Sequence, residues 1–219
     1  LIDSPVVPRS AVREAQALAG ELGLWLDIIE APLLDHADFC KNPVDRCYIC
    51  KKDFAARLRT YADGTGLTCM ADGANVSDTG EHRPGLRAAD EEGIVHPLVE
   101  AGIDKADVRE IAKLLSLRTW SKPSAACLVS RIPYGETITM TKLHTVEEAE
   151  TFLATLGIGQ LRVRLHGNLA RIEVNKEDWE KILKHQFEIT VKFRSLDIAY
   201  TTLDLEGYRT GSMDEILHP

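Results

Sequence analysis

The stretch LTCMADGAN, at residues 67–75, decides the fold class that the sequence predicts. Its first five residues are apolar or small, which is typical of a short buried strand. They run directly into Asp72-Gly73-Ala74-Asn75, whose residue types favour a turn. Ligands of parallel sheets bind beyond the carboxyl ends of the strands. We therefore expect Asp72, Asn75 and Asp78 to be binding residues, although plain turn formation is the alternative interpretation.

Helices and strands alternate on both sides of this stretch. The apolar segment Leu24 to Ile29 predicts a strand, and helical spacing predicts helices from Ser10 to Leu22 and from about Cys47 to Tyr61. Asp104 is the predicted cap of another helix. The residues of that helix that we expect to face inward are Val108, Ile111, Leu114 and Leu115. This alternation predicts an α/β domain with a parallel sheet and helices on both faces.

The pattern changes near Ile132, and we place a boundary there between a domain of residues 1–131 and a small α+β domain of residues 132–219. The elements predicted beyond the boundary are a helix at 141–156, strands at 160–166 and 169–174, helices at 176–185 and 187–196, and a strand at 198–203. The first of these strands alternates strictly between apolar and charged residues. Such alternation predicts two chemically different faces.

Composition excludes several classes of protein. The 219 residues are 44% hydrophobic, which is enough for a sizeable core. The net charge of −8 disfavours broad binding to nucleic acid or to an anionic membrane, because both require a basic face. No apolar run approaches the roughly 20 residues that a membrane-spanning helix needs. The odd number of cysteines, five, predicts a reducing, cytoplasmic location.

Three cysteines are the main candidates for metal chemistry. Cys47 and Cys50 form a C-x-x-C motif in the predicted first turn of a helix, where the helix dipole favours thiolates. With Cys127 far downstream, three thiolates can hold a 4Fe–4S cluster and leave one iron open, whereas ordinary ligation uses four. A structural zinc site is the alternative, with Cys40 or a histidine as fourth ligand. Cys69, in the apolar stretch, is expected to be core.

Arginines are the candidate ligands for an anion. Arg162 and Arg164 share one face of a predicted strand, with His166 beside them, and Arg131 follows Cys127 by four residues. Guanidinium groups bind phosphate or carboxylate in a forked geometry. The alternative for Arg162 and Arg164 is a solvated strand face.

Taken together, nine segments resemble the LarE-type ATP-dependent sulfur transferases, which make the nickel-pincer nucleotide cofactor. The segments are DSP at 3–5, RCYICKK at 46–52, DGANVSD at 72–78, RPGLR at 83–87, WSKP at 120–123, CLVSRIPYG at 127–135, RVR at 162–164, ARIE at 170–173 and LDLEGYRTGSM at 203–213. They extend over nearly the whole chain, and the set is far more specific than any one motif.

The resemblance implies an adenine-nucleotide α-hydrolase-like domain, also called a PP-loop ATPase domain, followed by a small synthase domain. It implies an enzyme in which ATP adenylates a carboxylate of a pyridinium-3,5-dicarboxylate mononucleotide. Sulfur then displaces AMP and leaves a thiocarboxylate. Mg²⁺ is expected together with ATP, because it neutralises the phosphates.

Two sulfur strategies occur in the family. One kind sacrifices the sulfur of a single cysteine at the position of Cys127, which becomes dehydroalanine. The other has three cysteines and a 4Fe–4S cluster whose open iron carries an extra sulfide, and this chain resembles that kind. The resemblance then assigns metal binding to Cys47, Cys50 and Cys127, catalysis to Cys127, Ser130 and Arg131, and cofactor or substrate binding to Asp72, Asn75, Asp78, Arg162 and Arg164.

The family's Ser-Gly-Gly-x-Asp-Ser pyrophosphate loop does not occur in these 219 residues, and we expect it to precede Leu1. The expected partners are a small-molecule nucleotide, sulfide and further copies of the chain in a homo-oligomer, with neither nucleic acid nor membrane. A PP-loop thiolase of transfer RNA is one alternative function, and the acidic balance argues against it. A non-catalytic, zinc-stabilised nucleotide-binding module is the other, and it leaves Arg162 and Arg164 unexplained.

Overall fold

The computed structural model describes residues 1–79, 84–122 and 126–215. They form a mixed α/β structure with a two-stranded parallel sheet and a three-stranded mixed sheet. The chain divides into two compact units. Unit 1 contains Leu1–Ser4, Glu14–Asp35 and Pro43–Ala125, and unit 2 contains Pro5–Arg13, His36–Asn42 and Ala126–Pro219.

The main segment of unit 2 begins at Ala126, close to the boundary predicted near Ile132. Two short segments from earlier in the chain also belong to unit 2. The assignment of residues 1–131 and 132–219 to an ATP domain and a synthase domain stays a prediction.

The first half of the chain is mostly helical. Strand β1 (Ile2–Asp3) pairs in parallel with β2 (Ile29–Glu30), and α1 (Arg9–Glu21) lies between them in the chain. The other helices of this half are α2 (Ala37–Cys40), α3 (Arg46–Thr65), α4 (Val76–Thr79), α5 (Pro84–Glu91), α6 (Pro97–Glu100) and α7 (Lys105–Leu114), with a 3₁₀ turn at Leu33–Asp35. The predicted strand at residues 24–29 is thus reduced to a two-residue pairing at its end.

Helix α3 confirms the helix predicted from about Cys47 to Tyr61 and extends beyond it. It ends where Gly66 adopts a left-handed conformation, with φ of 75°. Ala55 of α3 is fully buried and forms an apolar cluster with Ala89 of α5 and Ile94, against which Met70 packs. Small residues at this contact allow α3 and α5 to approach closely.

The stretch at residues 67–71 does not form the predicted buried strand. Within the residues that the structure describes, Ala71 alone pairs, with Val95 in parallel, while Leu67 is 57% exposed and Cys69 is also exposed. The prediction that Cys69 is core was therefore wrong. An apolar segment is buried only where another part of the protein covers it. Of the described residues 67–71, Met70 is the one that packs on the apolar cluster of unit 1.

Helix α7 also differs from the prediction in which of its residues are buried. Its capping by Asp104 is confirmed, since the Asp104 carboxylate accepts hydrogen bonds from the backbone of Ala106 at 2.7 Å and Asp107 at 2.9 Å. Its apolar stripe is not inward: Ile111 is 41% exposed and Leu114 is 82% exposed. The helical period was right, but of the four residues expected inward Val108 is half-buried and the other three are exposed.

The elements of the second half are those that the sequence predicts. They are α8 (Met140–Thr155), β3 (Leu161–His166), β4 (Leu169–Val174), α9 (Trp179–Lys184), α10 (Gln186–Arg194) and β5 (Tyr200–Leu203), with 3₁₀ turns at Leu128–Arg131 and Lys176–Asp178. The sheet order is β3-β4-β5, with β3 antiparallel and β5 parallel to β4. Thr139 caps α8 by accepting a hydrogen bond from the backbone of Lys142.

Both faces of β3 are covered. Helix α8 packs against this strand, and Val163 and Leu165 of the apolar face are 0% and 4% exposed. On the other face, Arg162 and Arg164 are only 9% and 5% exposed. The solvated strand face that we considered for these arginines is therefore wrong. Buried guanidinium groups require partners, and these partners define the site in unit 2.

Gly207 packs against the end of β4 with φ of +79°, and a Cβ built there would lie 2.9 Å from the Val174 carbonyl oxygen. We expect Gly207→Ala to lower the free energy of unfolding by about 2–3 kcal/mol, because it adds a backbone clash to left-handed strain. Gly157→Ala is the control, since Gly157 has φ of +74° but no atom within 4 Å of the added Cβ. Equal losses in urea unfolding of both variants would contradict the close approach.

Candidate functional site

The C-x-x-C motif lies in the first turn of α3. Cys47 is exposed and Cys50 is half-buried. The two residues are three positions apart in the helix, so their side chains lie on the same side of it. Helix α5 begins close by, because a Cβ on Gly85 would lie 3.7 Å from the Cys47 carbonyl oxygen. Cys47 therefore lies in the first turn of α3, where the helix dipole favours negative charge, and Cys50 follows one turn further along.

Lys51, the residue after Cys50, connects this helix to the turn at Asp72. Its Nζ donates to Asp72 Oδ2 at 2.9 Å. Asp72 Oδ1 accepts a hydrogen bond from the backbone of Ala74 at 3.0 Å and lies 2.6 Å from His96 Nδ1. Burial raises the pKa of Asp72, but the hydrogen bonds from Lys51, Ala74 and His96 outweigh it and lower the pKa overall. Asp72 is thus an ionised anchor shared by the C-x-x-C helix and the predicted binding turn.

His96 is a residue of this cluster that sequence reasoning missed. Its two ring nitrogens lie 2.6 Å from Asp72 Oδ1 and 3.1 Å from Asp90 Oδ1. Burial would lower the pKa of His96, but the hydrogen bonds and negative charges of Asp72 and Asp90 raise it overall. The signal in the sequence was its position directly before Pro97, which starts α6. In the structure, His96 also follows Val95, which pairs with Ala71.

The pKa of His96 is raised in the folded state, so protonated His96 stabilises the fold. This stabilisation is fully present below the ordinary histidine pKa of about 6.5, and it is lost as the pH rises through the raised pKa of the folded state. We expect His96→Gln to be about 1–2 kcal/mol less stable than the parent near pH 6. That difference should shrink near pH 9. Urea unfolding at the two pH values measures it, and a difference that grows with pH would contradict the ion pairs.

Asn75 and Asp78 shape the turn that leads into α4. Asn75 Oδ1 accepts a hydrogen bond from the backbone of Ser77, and Asp78 Oδ2 accepts one from the backbone of Asn75, each at 3.1 Å. These contacts are those of the turn-forming alternative. The binding role of both residues stays a prediction.

In unit 2, Cys127 is exposed and directly precedes the 3₁₀ turn at Leu128–Arg131. The Ser130 hydroxyl donates to the Cys127 carbonyl oxygen at 2.8 Å. Arg131 is 2% exposed, and its NH1 donates to the carbonyl oxygens of Ala126 and Cys127 and to Ser130 Oγ, at 2.8–3.0 Å. Arg131 therefore holds the backbone that presents Cys127.

Arg131 is held in turn by Glu150 of α8. Its Nε and NH2 each donate to one carboxylate oxygen at 2.9 Å, which is the bidentate arrangement. Glu150 Oε1 also accepts from the backbone of Val163 in β3 at 2.9 Å. The buried ion pair of Arg131 and Glu150 thus joins the Cys127 turn, α8 and the sheet. The sequence analysis did not identify Glu150 as a site residue.

Arg164 makes a second connection to the same turn. Its NH1 donates to the Ser130 carbonyl oxygen at 2.8 Å, and its NH2 donates to Glu173 at 2.9 Å and to Ser212 Oγ at 3.0 Å. Glu173 is fully buried and also accepts from Arg171 NH2 at 3.0 Å and from the Ser212 hydroxyl at 2.9 Å. This network ties β3 and β4 to the motif at residues 203–213.

Arg162 lies near Arg131 and over an aromatic ring. Its guanidinium carbon is 5.3 Å from the centroid of the Tyr208 ring, and its NH1 donates to the Leu161 carbonyl oxygen at 2.6 Å. Burial lowers the pKa of Arg162, and the positive charge of Arg131 lowers it further. The group nevertheless stays cationic near neutral pH. Unit 2 therefore brings together five predicted residues, Cys127, Ser130, Arg131, Arg162 and Arg164.

The predicted metal ligands are divided between the units, with Cys47 and Cys50 in unit 1 and Cys127 in unit 2. Among residues 1–79, 84–122 and 126–215, no group of three His, Cys, Asp or Glu side chains is placed to hold a metal ion. The three-thiolate site stays a prediction. In the same residues, no helix is long and apolar enough to span a membrane.

Comparison with known proteins decides the family. No protein-family model matches the chain. The chain is 36% identical over 204 residues to the pyridinium-3,5-bisthiocarboxylic acid mononucleotide synthase of Lactiplantibacillus plantarum, covering 93% of this chain and 74% of that protein. The chain belongs to the LarE-type family.

Two further proteins are similar to this LarE-type chain. An uncharacterised protein of Synechocystis is 38% identical over 216 residues, covering 98% of the chain and 81% of that protein. An uncharacterised protein of Methanocaldococcus jannaschii is 34% identical over 209 residues, covering 95% and 80%. All three matches extend over more than nine-tenths of the LarE-type chain, so both units take part in the similarity.

Proposed function

We propose that the chain is an ATP-dependent sulfur transferase that converts the carboxylates of a pyridinium-3,5-dicarboxylate mononucleotide into thiocarboxylates. The observation that carries the proposal is its similarity, over 93% of its length, to a protein named as a bisthiocarboxylic acid mononucleotide synthase. The arrangement of unit 2 supports it, because an exposed cysteine lies on a turn held by two buried arginines.

The substrate phosphate would lie at the arginines of unit 2. Arg162 and Arg164 are buried cations on one face of β3, where the cost of burying their charge is offset by carboxylates and, when bound, by an anionic substrate. Arg131 is fully engaged with Glu150 and three backbone or hydroxyl oxygens. Its proposed role is to position the Cys127 turn next to that anion.

The reaction has two displacements in this proposal. A substrate carboxylate oxygen attacks the α-phosphorus of ATP and releases pyrophosphate, which Mg²⁺ would assist by neutralising the phosphate charge. Sulfide then attacks the activated carbonyl carbon and releases AMP. The turn beginning at Asp72, which Lys51 holds against α3, is the proposed nucleotide-binding element of unit 1.

The chemistry of the cysteines fits a 4Fe–4S cluster as the sulfur carrier. Cys47 and Cys50 lie three residues apart near the start of α3, and Cys127 is exposed before its turn, so all three are thiols of the kind that ligates iron. When bound by three thiolates, such a cluster supplies an open iron that can hold sulfide. Cys47, Cys50 and Cys127 are the proposed ligands.

The two other candidate functions are less well supported. A thiolase of transfer RNA would require a basic surface, and the chain has a net charge of −8. A zinc-stabilised binding module would have no use for the buried arginine network around the Cys127 turn.

The test is anaerobic purification of the full-length protein followed by an assay with ATP, Mg²⁺, sulfide and the dicarboxylate mononucleotide. We expect a brown protein with iron and acid-labile sulfide, and formation of thiocarboxylate that depends on ATP. A colourless protein that contains zinc and makes no thiocarboxylate would overturn the proposal. Thiolation of transfer RNA in place of the mononucleotide would favour the first alternative.

A further inference from the structure

The imidazole of His96 bridges two carboxylates of unit 1. Its Nδ1 is 2.6 Å from Asp72 Oδ1, and its Nε2 is 3.1 Å from Oδ1 of Asp90 on α5. A neutral imidazole has one N–H donor and one acceptor nitrogen, whereas the imidazolium has two donors. Ionised carboxylates only accept, so both contacts are hydrogen bonds only when His96 carries a second proton. The geometry therefore fits the cationic form of His96.

The charges around His96 balance only in that form. They come from Asp72 of the turn and Asp90 of α5, with Lys51 of α3 on the far side of Asp72. Lys51 Nζ forms an ion pair with Asp72 Oδ2 at 2.9 Å. Protonated His96 then offsets the charge of Asp90. Loss of the His96 proton leaves these side chains with one negative charge in excess.

This excess charge arises at the turn that Asp72 holds. The same Asp72 oxygen, Oδ1, lies next to His96 Nδ1 and accepts a hydrogen bond from the backbone of Ala74 at 3.0 Å. A neutral His96 can donate to Asp72 or to Asp90, but not to both, so one of the two contacts is lost. ATP is a polyanion, and an uncompensated like charge beside its binding element weakens its binding.

We propose that His96 is a positioning residue for the turn at residues 72–75, and that this turn binds ATP tightly while His96 is protonated and more weakly once the proton is lost. The inference rests on the proposed function, in which the turn is the nucleotide-binding element of unit 1. It adds a residue that acts through Asp72 and makes the affinity for the nucleotide depend on pH.

The direction of this dependence follows from the pKa of His96. Burial would lower the pKa, but the hydrogen bonds and negative charges of Asp72 and Asp90 raise it overall. His96 therefore keeps its proton above the ordinary histidine pKa of about 6.5 and loses it as the pH rises through the raised value. The affinity for ATP should fall over that interval. By linkage, bound ATP should raise the pKa of His96 further.

The experiment is titration calorimetry of the full-length protein with ATP and Mg²⁺ at about pH 6.5 and about pH 9. We expect the Kd of the parent protein to be about tenfold higher at the upper pH, which corresponds to a pKa change of about one unit at His96. In His96→Gln the Kd should be the same at both pH values, because glutamine does not titrate.

Asp90→Asn tests the charge balance directly. Without the Asp90 carboxylate, Lys51 and Asp72 remain paired and the excess negative charge does not arise when His96 is neutral. This variant should therefore bind ATP more tightly than the parent protein at the upper pH. A role of Asp90 in stability alone predicts binding that is equal or weaker, and that result would contradict the charge balance.

His185→Gln is the matched control, because His185 lies beside Glu188 in unit 2 and its loss should leave the full pH dependence. Should His96→Gln fail to fold, the imidazole NMR signals of the parent protein replace it: ATP should raise the pKa of His96 by about one unit and leave that of His185 unchanged. Equal ATP affinity of the parent protein at both pH values, or the same pH dependence in His96→Gln, would overturn the inference.

These measurements use neither the mononucleotide nor sulfide, so they are separate from the test of sulfur transfer. A protein that binds ATP with the expected pH dependence but makes no thiocarboxylate would sustain the role of His96 and overturn the proposed reaction. Formation of thiocarboxylate by an enzyme whose ATP affinity does not change with pH would do the reverse.

Discussion

Replacing Cys127 by alanine should abolish stable iron binding in protein purified without oxygen. The same result is expected for Cys47→Ala and Cys50→Ala, because a cluster with an open iron has only three protein ligands and two thiolates do not retain it. The measurement is iron and acid-labile sulfide per chain, with the visible absorption as an independent readout. We expect the iron content to fall from about four per chain to near zero in each variant.

Cys69→Ala is the control for this prediction. Cys69 is exposed, as Cys127 is, but it lies beside the bridge between Ala71 and Val95 and is absent from the proposed ligand set. Its loss should leave the iron content unchanged. Full iron content in Cys127→Ala would mean that the cluster, if any, does not use this residue, and the division of roles among the cysteines would be wrong.

Turnover should be limited by the supply of sulfide and not by the amount of protein. Given ATP, Mg²⁺, substrate and excess sulfide, the full-length enzyme should make more than one thiocarboxylate per chain. Sulfide is a ready nucleophile, so Cys127 is not consumed and keeps its mass. Product quantified against protein, together with intact-protein mass spectrometry after the reaction, measures both quantities.

The sacrificial route gives the opposite outcome. It permits at most one sulfur per chain, and the protein would lose the mass of one molecule of H₂S at Cys127 as dehydroalanine forms. Omitting sulfide separates the two routes further, because a sacrificial cysteine still completes one turnover without it. Dehydroalanine at Cys127 with single-turnover stoichiometry would leave Cys47 and Cys50 with a structural role only.

The elements of unit 2 could be predicted because their signals are local. Strict alternation marked β3, and helical spacing marked α8, where Leu143, Val146, Ala149 and Leu153 are buried. The cap at Asp104 and the helix start near Cys47 were also predictable from a few neighbouring residues. These features depend on backbone geometry within one or two turns, which is what sequence periodicity reports.

Which side chains are buried against other helices and strands was less predictable. The apolar stripe of α7 and the stretch at residues 67–71 have the composition of core, yet Leu114 and Leu67 are exposed. Conversely, Arg164 has the composition of surface and is 5% exposed. Periodicity identifies which side of an element is apolar, but whether another segment covers that side depends on the rest of the fold.

By itself, then, the sequence determined the residue types of the site: the C-x-x-C motif at a helix start, Cys127 before Arg131, and the paired Arg162 and Arg164. Only the tertiary structure decided what holds them. Glu150 and Ser212, which hold Arg131 and Arg164, lie 19 and 48 positions away from them in the chain. A buried guanidinium must find oxygen atoms at about 2.9 Å, and which oxygens are in reach follows from the packing of helices on the sheet and not from local pattern.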